Sequence, residues 1–265
     1  MDSESRRLQA LIDRITALPP PLLLTFDVDG TLAPIVDDPA SARVPEPTAR
    51  ALRKLARRPE LRVALLTGRD AHALARMVRV AGAYRALEHG RLLLRPGQRA
   101  RVPALAQEAR DRLRGFEDWA LRTALPVGAK LEHKASSRAL HVRTLQTRKP
   151  AQAAALLRQA AAQARRLGLH PRPGRAVLEA ELEPANKGDA LEALYKASGA
   201  RSVVFAGDDL TDRPAIARAV RLGGLGLFVR SPERPRAPAG CTASLVDQGQ
   251  LAALVGGLAE RFGLS

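Results

Sequence analysis

Leu22-Leu-Leu-Thr-Phe-Asp27-Val-Asp29-Gly30-Thr31-Leu-Ala-Pro-Ile35 is the stretch on which the fold of this chain turns. The apolar run Leu22–Phe26 is rich enough to be a buried strand of a parallel sheet. It ends in two aspartates one residue apart, then Gly30 and Thr31. Open α/β sheets place their ligands at the carboxyl ends of strands. Two carboxylates there repel each other, and a divalent hard cation is the group best suited to offset them. Residues two apart in a strand share a side, but a turn begins at Gly30. One carboxylate can therefore stay on the metal and reaction axis while the other swings towards a leaving group. The alternative is a strand end followed by an Asx-type turn. Partners elsewhere in the chain decide between the two.

Working outward, 265 residues hold one large α/β domain, or one domain carrying a smaller insert. The composition is 46% hydrophobic but only 3% aromatic, so Leu, Val and Ala must fill the core. The net charge of +16 invites a nucleic-acid reading. Yet 37 of the 43 basic residues are Arg, scattered from Arg6 to Arg261 with no zinc-finger spacing or aromatic RNA-binding pattern. We expect no nucleic-acid partner; a basic surface instead steers anionic small substrates such as sugar phosphates. Cys241 is the sole cysteine, which excludes intramolecular disulfides and cysteine-rich zinc sites. The N-terminus lacks the apolar core of a signal peptide, and no apolar run reaches membrane-spanning length. The expectation is a soluble, cytoplasmic protein with no membrane partner.

Strand, loop and helix alternate through the first hundred residues: a helix over 4–18, the strand 22–26, a helix over 48–58, strands at 61–66 and 84–87, and a helix over 71–80. The pattern then changes to a long charged helix over 104–125, a hairpin from 129–132 and 138–143, an Ala-rich helix over 150–167, and strands at 170–173 and 176–182. This segment reads as an inserted α+β domain, residues 108–183, between two core parts, 1–107 and 184–265. The α/β rhythm resumes with a helix over 187–198, a strand at 202–206, a strand at 225–229 and a closing helix over 251–262. Asp212 is a candidate cap for the helix after 206, with Pro214 in its first turn.

Strand and helix boundaries carry complementary chemistry. Asp27 and Asp29 supply carboxylates, Thr67 and Gly68 a hydroxyl and a main-chain N–H, Lys187 a mobile positive charge, and Asp208, Asp209 and Asp212 a second acidic cluster. In a parallel sheet these ends converge on one edge. Singly, each is also readable as a turn, a solvated lysine or a helix cap; jointly and in this order they are not.

Asp27-Val-Asp29-Gly30-Thr31, Thr67-Gly68-Arg69, Asn186-Lys187-Gly188 and Gly207-Asp208-Asp209-Leu-Thr-Asp212 resemble the four motifs of the haloacid dehalogenase superfamily of phosphatases. Leu32-Ala33-Pro34-Ile35, Glu88-His89-Gly90 and Glu132-His-Lys134…His141-Val-Arg143 resemble the trehalose-6-phosphate phosphatase family within it. The resemblance runs from about residue 20 to the C-terminus. It implies a Rossmann-like core, a parallel sheet flanked by helices, with the insert as an α+β cap. It implies an aspartyl-phosphate mechanism with Asp27 as nucleophile, Asp29 as acid and base, and Thr67 and Lys187 completing the catalytic set. It implies magnesium held by Asp27, Asp29 (through its carbonyl) and Asp208, with Asp209 and Asp212 orienting waters or Lys187 from behind. Gly68, Arg69, Glu88, His89 and Gly90 from the core, and Glu132, Lys134, Arg143 and Glu179 from the cap, are the substrate-binding residues it implies. Glu132 and Lys134 also read as a solvated strand face, and His141 as a packed histidine.

Two positions depart from the family pattern. Arg213 stands where an acidic residue usually follows Thr-Asp, and a cation there disfavours magnesium if it points inward. Val142 stands where an aromatic is usual, which removes a stacking surface for a sugar ring. The function expected is hydrolysis of a disaccharide phosphate, trehalose 6-phosphate first, by a monomer. The alternatives are a phosphatase for another phosphorylated glycoside (sucrose, mannosylglycerate or glycosylglycerol phosphate), a phosphomutase, or an inactive phospho-sugar sensor.

Overall fold

The structure, a computed structural model, describes residues 3–36, 38–100, 104–174 and 176–263. The chain divides into two compact units: one takes the residues up to Ala100 and from Ala185 onward, the other those between.

In the first unit, α1 (Ser3–Thr16) precedes β1 (Leu22–Phe26), and α2 (Glu46–Leu55), β2 (Leu61–Leu66), α3 (Ala71–Met77), β3 (Tyr84–Leu87) and β4 (Leu92–Leu94) follow. All five residues of β1 are buried, because the strand is flanked on both sides: Leu22 pairs with Leu61 of β2 and with Ser202 of a later strand, both parallel. Its side chains alternate as the pleat demands. Leu22, Leu24 and Phe26 join the core under α1, α2 and the C-terminal helix, while Leu23 joins a second core with Ala64, Leu66, Val203 and Phe205. A run apolar on both faces is what a doubly covered sheet requires.

The second unit holds α4 (Gln107–Thr123), β5 (Lys130–His133), β6 (Ser137–His141), α5 (Arg143–Arg148), α6 (Pro150–Arg166), β7 (His170–Gly174) and β8 (Val177–Glu181). Its strands form an antiparallel sheet in the order β5-β6-β8-β7. One face is apolar: Leu140, Leu178 and Ala180 pack with Leu113, Phe116 and Ala120 of α4 and with Ala153, Leu156, Ala160 and Ala164 of α6. By the same alternation the other face gathers Glu132, Ala139 and His141 with Glu179. The alternation of side chains predicts that the second hairpin strand runs through Arg143. The strand stops at His141, because Val142 leaves extended backbone (ψ 17) to start α5.

The chain returns to the first unit through α7 (Lys187–Ser198), β9 (Ser202–Gly207), α8 (Arg213–Arg221), β10 (Leu225–Val229), β11 (Ala243–Leu245) and α9 (Gln248–Arg261). The completed sheet runs β11-β10-β9-β1-β2-β3-β4, parallel except at the β4 edge. The chain winds outward from β1 in one direction, then restarts beside it at β9. That reversal puts the topological switch point at the carboxyl ends of β1 and β9, the place where open α/β sheets bind ligands. Helix α3 ends at Met77 instead of Val80, where Val78 returns to extended backbone (φ −160°, ψ 145°). The edge strands β4 and β11, three residues each, carried too little pattern to be read from sequence. Among the described residues no helix is long and apolar enough to cross a membrane.

Candidate active site

Asp27 is the first residue beyond β1 and is held against β9 by its N–H, which donates to the Ala206 carbonyl at 2.9 Å. Its carboxylate is buried, as is the ammonium of Lys187, which donates to Asp27 Oδ1 and to Asp212 Oδ1 at 2.6 Å each. Lys187 reaches this point because Asn186 caps α7, its side-chain oxygen accepting from the Asp189 N–H at 2.9 Å. Gly188 then passes so close to α8 that a Cβ would lie 2.8 Å from the Pro214 carbonyl oxygen.

Asp208 lies beyond β9. The Thr31 hydroxyl lies 2.8 Å from Asp208 Oδ1 and 3.3 Å from Asp27 Oδ2, bridging the two acidic loops. The motif resemblance assigns Thr31 no role, although its position two residues after Asp29 is the signal that places it between the two acidic loops. Gly30 is needed twice over. Its φ is +84°, and a Cβ would sit 2.2 Å from Asp208 Oδ2.

Asp212 does not cap α8 through its side chain. Its Oδ2 accepts from the N–H groups of Asp208 and Asp209 at 3.0 and 2.9 Å, and its Oδ1 from Lys187, so it braces the loop that presents Asp208. Asp209 has a partner that the sequence did not suggest. It pairs with Arg234, whose Nε donates to Asp209 Oδ1 at 2.9 Å. Arg234 lies between β10 and β11, twenty-five residues away, with no sequence signal connecting the two.

The loops after β2 and β3 are joined main chain to main chain. His89 N–H donates to the Thr67 carbonyl at 2.9 Å and Glu88 N–H to the Arg69 carbonyl at 3.1 Å. Glu88, His89 and Gly90 all have positive φ, at 49°, 59° and 106°. Three such residues in a row are a strained segment of the kind found at functional sites. A Cβ on Gly68 would meet the His89 ring at 2.4 Å, and one on Gly90 would meet Ala190 Cβ at 2.2 Å, so both glycines are close-approach positions. Thr67 Oγ1 accepts from the Arg69 N–H at 3.1 Å, which leaves its own hydrogen to donate. Arg69 itself forms a two-bond pair with Asp29, at 2.8 and 2.6 Å.

Electrostatics follow from burial. Three buried carboxylates, Asp27, Asp208 and Asp212, share one ammonium. Burial, followed by the negative charge of Asp212, pushes the Asp208 carboxyl up to about 7, against the Thr31 hydrogen bond and the Lys187 charge. Burial likewise raises Asp27 well above the usual carboxylate range, with Lys187 opposing and Asp212 and Asp208 adding to the rise. Burial alone favours a neutral Lys187, but the charges of Asp212 and Asp27 outweigh it and hold the ammonium protonated. The site is short of positive charge. Oxygens of Asp27, Asp208 and Asp212 lie within 4.8 Å of one another, an all-oxygen donor set that suits a hard divalent cation. Asp212 already accepts three hydrogen bonds, against two at Asp27 and one at Asp208, so Asp27 and Asp208 are the carboxylates of that set with more capacity for an ion.

Of the expected residues in the second unit, Glu132 Oε2 lies 2.9 Å from His141 Nε2, and the neighbouring imidazole, more than the charge of Lys134, holds the Glu132 carboxyl below its ordinary range. Lys134 donates to Glu179 Oε2 at 3.0 Å, and Ser137 to Glu179 Oε1 at 2.5 Å. Lys134 and Glu179 are therefore a mostly buried pair, while Glu132 stays exposed. Arg143 opens α5. Val142 is fully buried in the apolar core, so this position faces the interior of the unit and offers no stacking surface. Arg213 is exposed.

A family model described as trehalose-phosphatase matches residues 25–222. The chain belongs to the trehalose-phosphatase family. A trehalose-phosphate phosphatase of Mycolicibacterium paratuberculosis is 36% identical over 227 residues, covering 77% of this chain and 54% of that protein. Another trehalose-phosphate phosphatase, of Mycobacterium ulcerans, is 32% identical over 282 residues, covering 97% and 68%. A Mycobacterium tuberculosis protein described as an uncharacterized glycosyl hydrolase is 34% identical over 220 residues, 78% of this chain but 16% of that protein. The chain thus spans about half the length of the first of these relatives and a small part of the last. The solved C-terminal domain of Candida albicans trehalose-6-phosphate phosphatase matches with a TM-score of 0.77 at 21% identity, covering 96% of each chain. The C-terminal domain of a Candida albicans trehalose synthase regulatory protein matches at 0.69 and 12% identity, covering 94% of this chain and 97% of its own. These likenesses establish the haloacid dehalogenase fold of the trehalose-phosphatase family.

Proposed function

We propose that the protein is a magnesium-dependent phosphatase that hydrolyses a disaccharide phosphate, trehalose 6-phosphate in first place, through an aspartyl-phosphate. The observation that carries this reading is the buried centre in which Lys187 holds Asp27 and Asp212 while Thr31 bridges Asp27 and Asp208. Such a centre has a carboxylate nucleophile fixed in orientation and a deficit of positive charge that a bound cation would offset, making room for an anionic phosphoryl group.

Asp27 attacks phosphorus, forming an acyl phosphate as the bond to the sugar oxygen breaks. Asp29 gives its proton to that oxygen, then takes one from the water that attacks phosphorus and releases Asp27. Lys187, the Thr67 hydroxyl and the Gly68 N–H hold the phosphoryl oxygens. Asp212 keeps Lys187 and the 208–209 main chain in place. Asp27, the Asp29 carbonyl and Asp208 would hold magnesium, which would supply the positive charge that balances the carboxylates against the phosphoryl oxygens.

In the inserted unit, which the reading takes as the cap, Glu132 and Arg143 are proposed to bond sugar hydroxyls, and the Lys134–Glu179 pair to fix the sheet face that carries them. The chain is taken as a cytoplasmic monomer. The test is phosphate release from a panel of sugar phosphates with magnesium, comparing wild type with Asp27→Asn. Trehalose 6-phosphate is expected to be the best substrate and the variant inactive. Preference for another glycoside phosphate refutes the choice of sugar alone. Tight binding without phosphate release refutes the enzyme and supports the sensor.

A further inference from the structure

We propose that Arg69 is a positioning residue for Asp29 and does not bind the phosphorylated sugar. This rests on the proposed role of Asp29 as proton donor to the leaving oxygen. Arg69 Nε donates to Asp29 Oδ2 at 2.8 Å and Nη2 to Oδ1 at 2.6 Å, the two-bond fork that only a guanidinium makes with a carboxylate. The third nitrogen, Nη1, donates to the Pro39 carbonyl at 2.8 Å, which anchors the fork to the loop after β1. All three guanidinium nitrogens therefore point into protein contacts.

The backbone of Arg69 is fixed as well. Its N–H donates to Thr67 Oγ1, and its carbonyl accepts from the Glu88 N–H. Of the pair, the arginine side chain is 16% exposed and the aspartate 38%, so it is the carboxylate that is offered to an incoming molecule. Asp29 lies in a turn whose backbone is bridged to Ala33, next to a glycine of positive φ, and its carboxylate is held separately from that backbone by the fork. A proton donor must lie within hydrogen-bond reach of the oxygen it serves, and a misplacement of one ångström costs on the order of 10²-fold in rate. Lysine at this position keeps a charge but loses the paired bonds.

The experiment uses the full chain and the sugar phosphate that wild type hydrolyses fastest. It compares wild type, R69A, R69K, D29A and the double variant R69A/D29A, with thermal unfolding to confirm that each is folded. Steady-state kinetics give kcat and KM; calorimetry gives the Kd for inorganic phosphate. R69A is expected to lower kcat on the order of 10²-fold, with KM and the phosphate Kd changed less than about twofold. R69K is expected to recover only a small part of that loss, and the double variant to match D29A in kcat, because Arg69 acts through Asp29. A tenfold or larger rise in KM or phosphate Kd with kcat retained overturns the proposal, as do losses that multiply in the double variant. A wild type that releases no phosphate from any sugar phosphate marks failure of the phosphatase reading itself, and the proposal falls with it.

Discussion

Replacing Lys187 with Ala is the sharpest test of the buried centre. The ammonium lies 2.6 Å from one oxygen of Asp27 and 2.6 Å from one of Asp212, and only 4% of its side chain is exposed. At an effective dielectric of about 20, each attraction is roughly 6 kcal/mol before desolvation is counted. Desolvation of the ions offsets most of this, and breaking a buried pair from one side costs about 3–5 kcal/mol net. For a chain of this size each kcal/mol corresponds to about 2–4 °C, so the metal-free protein should melt roughly 6–20 °C lower. Magnesium should recover part of the loss, since the cation replaces charge among Asp27, Asp208 and Asp212. The assay is thermal unfolding of wild type and Lys187→Ala in a chelator and in saturating magnesium. Lys196→Ala serves as control, because its pair with Glu192 is 73% exposed on the lysine side and contributes at most about 0.5 kcal/mol. A metal-free change below about 2 °C for Lys187→Ala, or one equal to that of the control, refutes the reasoning.

Gly30→Ala should abolish magnesium-induced stabilisation and phosphate release, because the new Cβ would sit 2.2 Å from Asp208 Oδ2 at a φ of +84°; a variant with wild-type magnesium affinity by calorimetry counts against this. The Asp208 carboxyl is raised from about 3.8 to about 7 on folding. The metal-free fold thus holds a proton there that the unfolded chain has lost, and its stability should fall as pH rises from about 4 to about 7. Since magnesium competes with that proton, the melting gain from magnesium should grow between pH 5 and 8, and a gain constant over that range contradicts the assignment. Arg213→Ala should leave the magnesium dissociation constant within about twofold of wild type, as the side chain faces solvent; a tenfold tightening would mean that it reaches the site.

The positions of Asp27, Lys187 and Asp208 were legible because each lies at a boundary that local patterning marks. An apolar run stops at Asp27, Asn186 and Gly188 bracket the start of a helix, and Ser202–Ala206 runs out into Gly207-Asp208. The alternation of strands with helices identified a parallel sheet for the same reason, since both periodicities are short-range properties of the chain. The edge strands β4 and β11 were not legible. Three residues give no usable period, and their pairing is decided by neighbours already in place.

Pairings across sequence were beyond local reasoning. Arg69 with Asp29 and Arg234 with Asp209 join residues 40 and 25 positions apart, and nothing in either partner's surroundings names the other. Asp212 shows the limit well: a carboxylate before Pro214 reads as a helix cap, yet the fold turns it toward two amides and an ammonium. The outward face of Arg213 and the inward face of Val142 were likewise settled by packing. The sequence by itself determined which chemical groups arrive at the sheet edge, since hydrophobic periodicity and capping are written locally. Only the tertiary structure decided which of those groups touch, because a contact between distant residues depends on how the strands between them stack and on the dielectric that their burial creates.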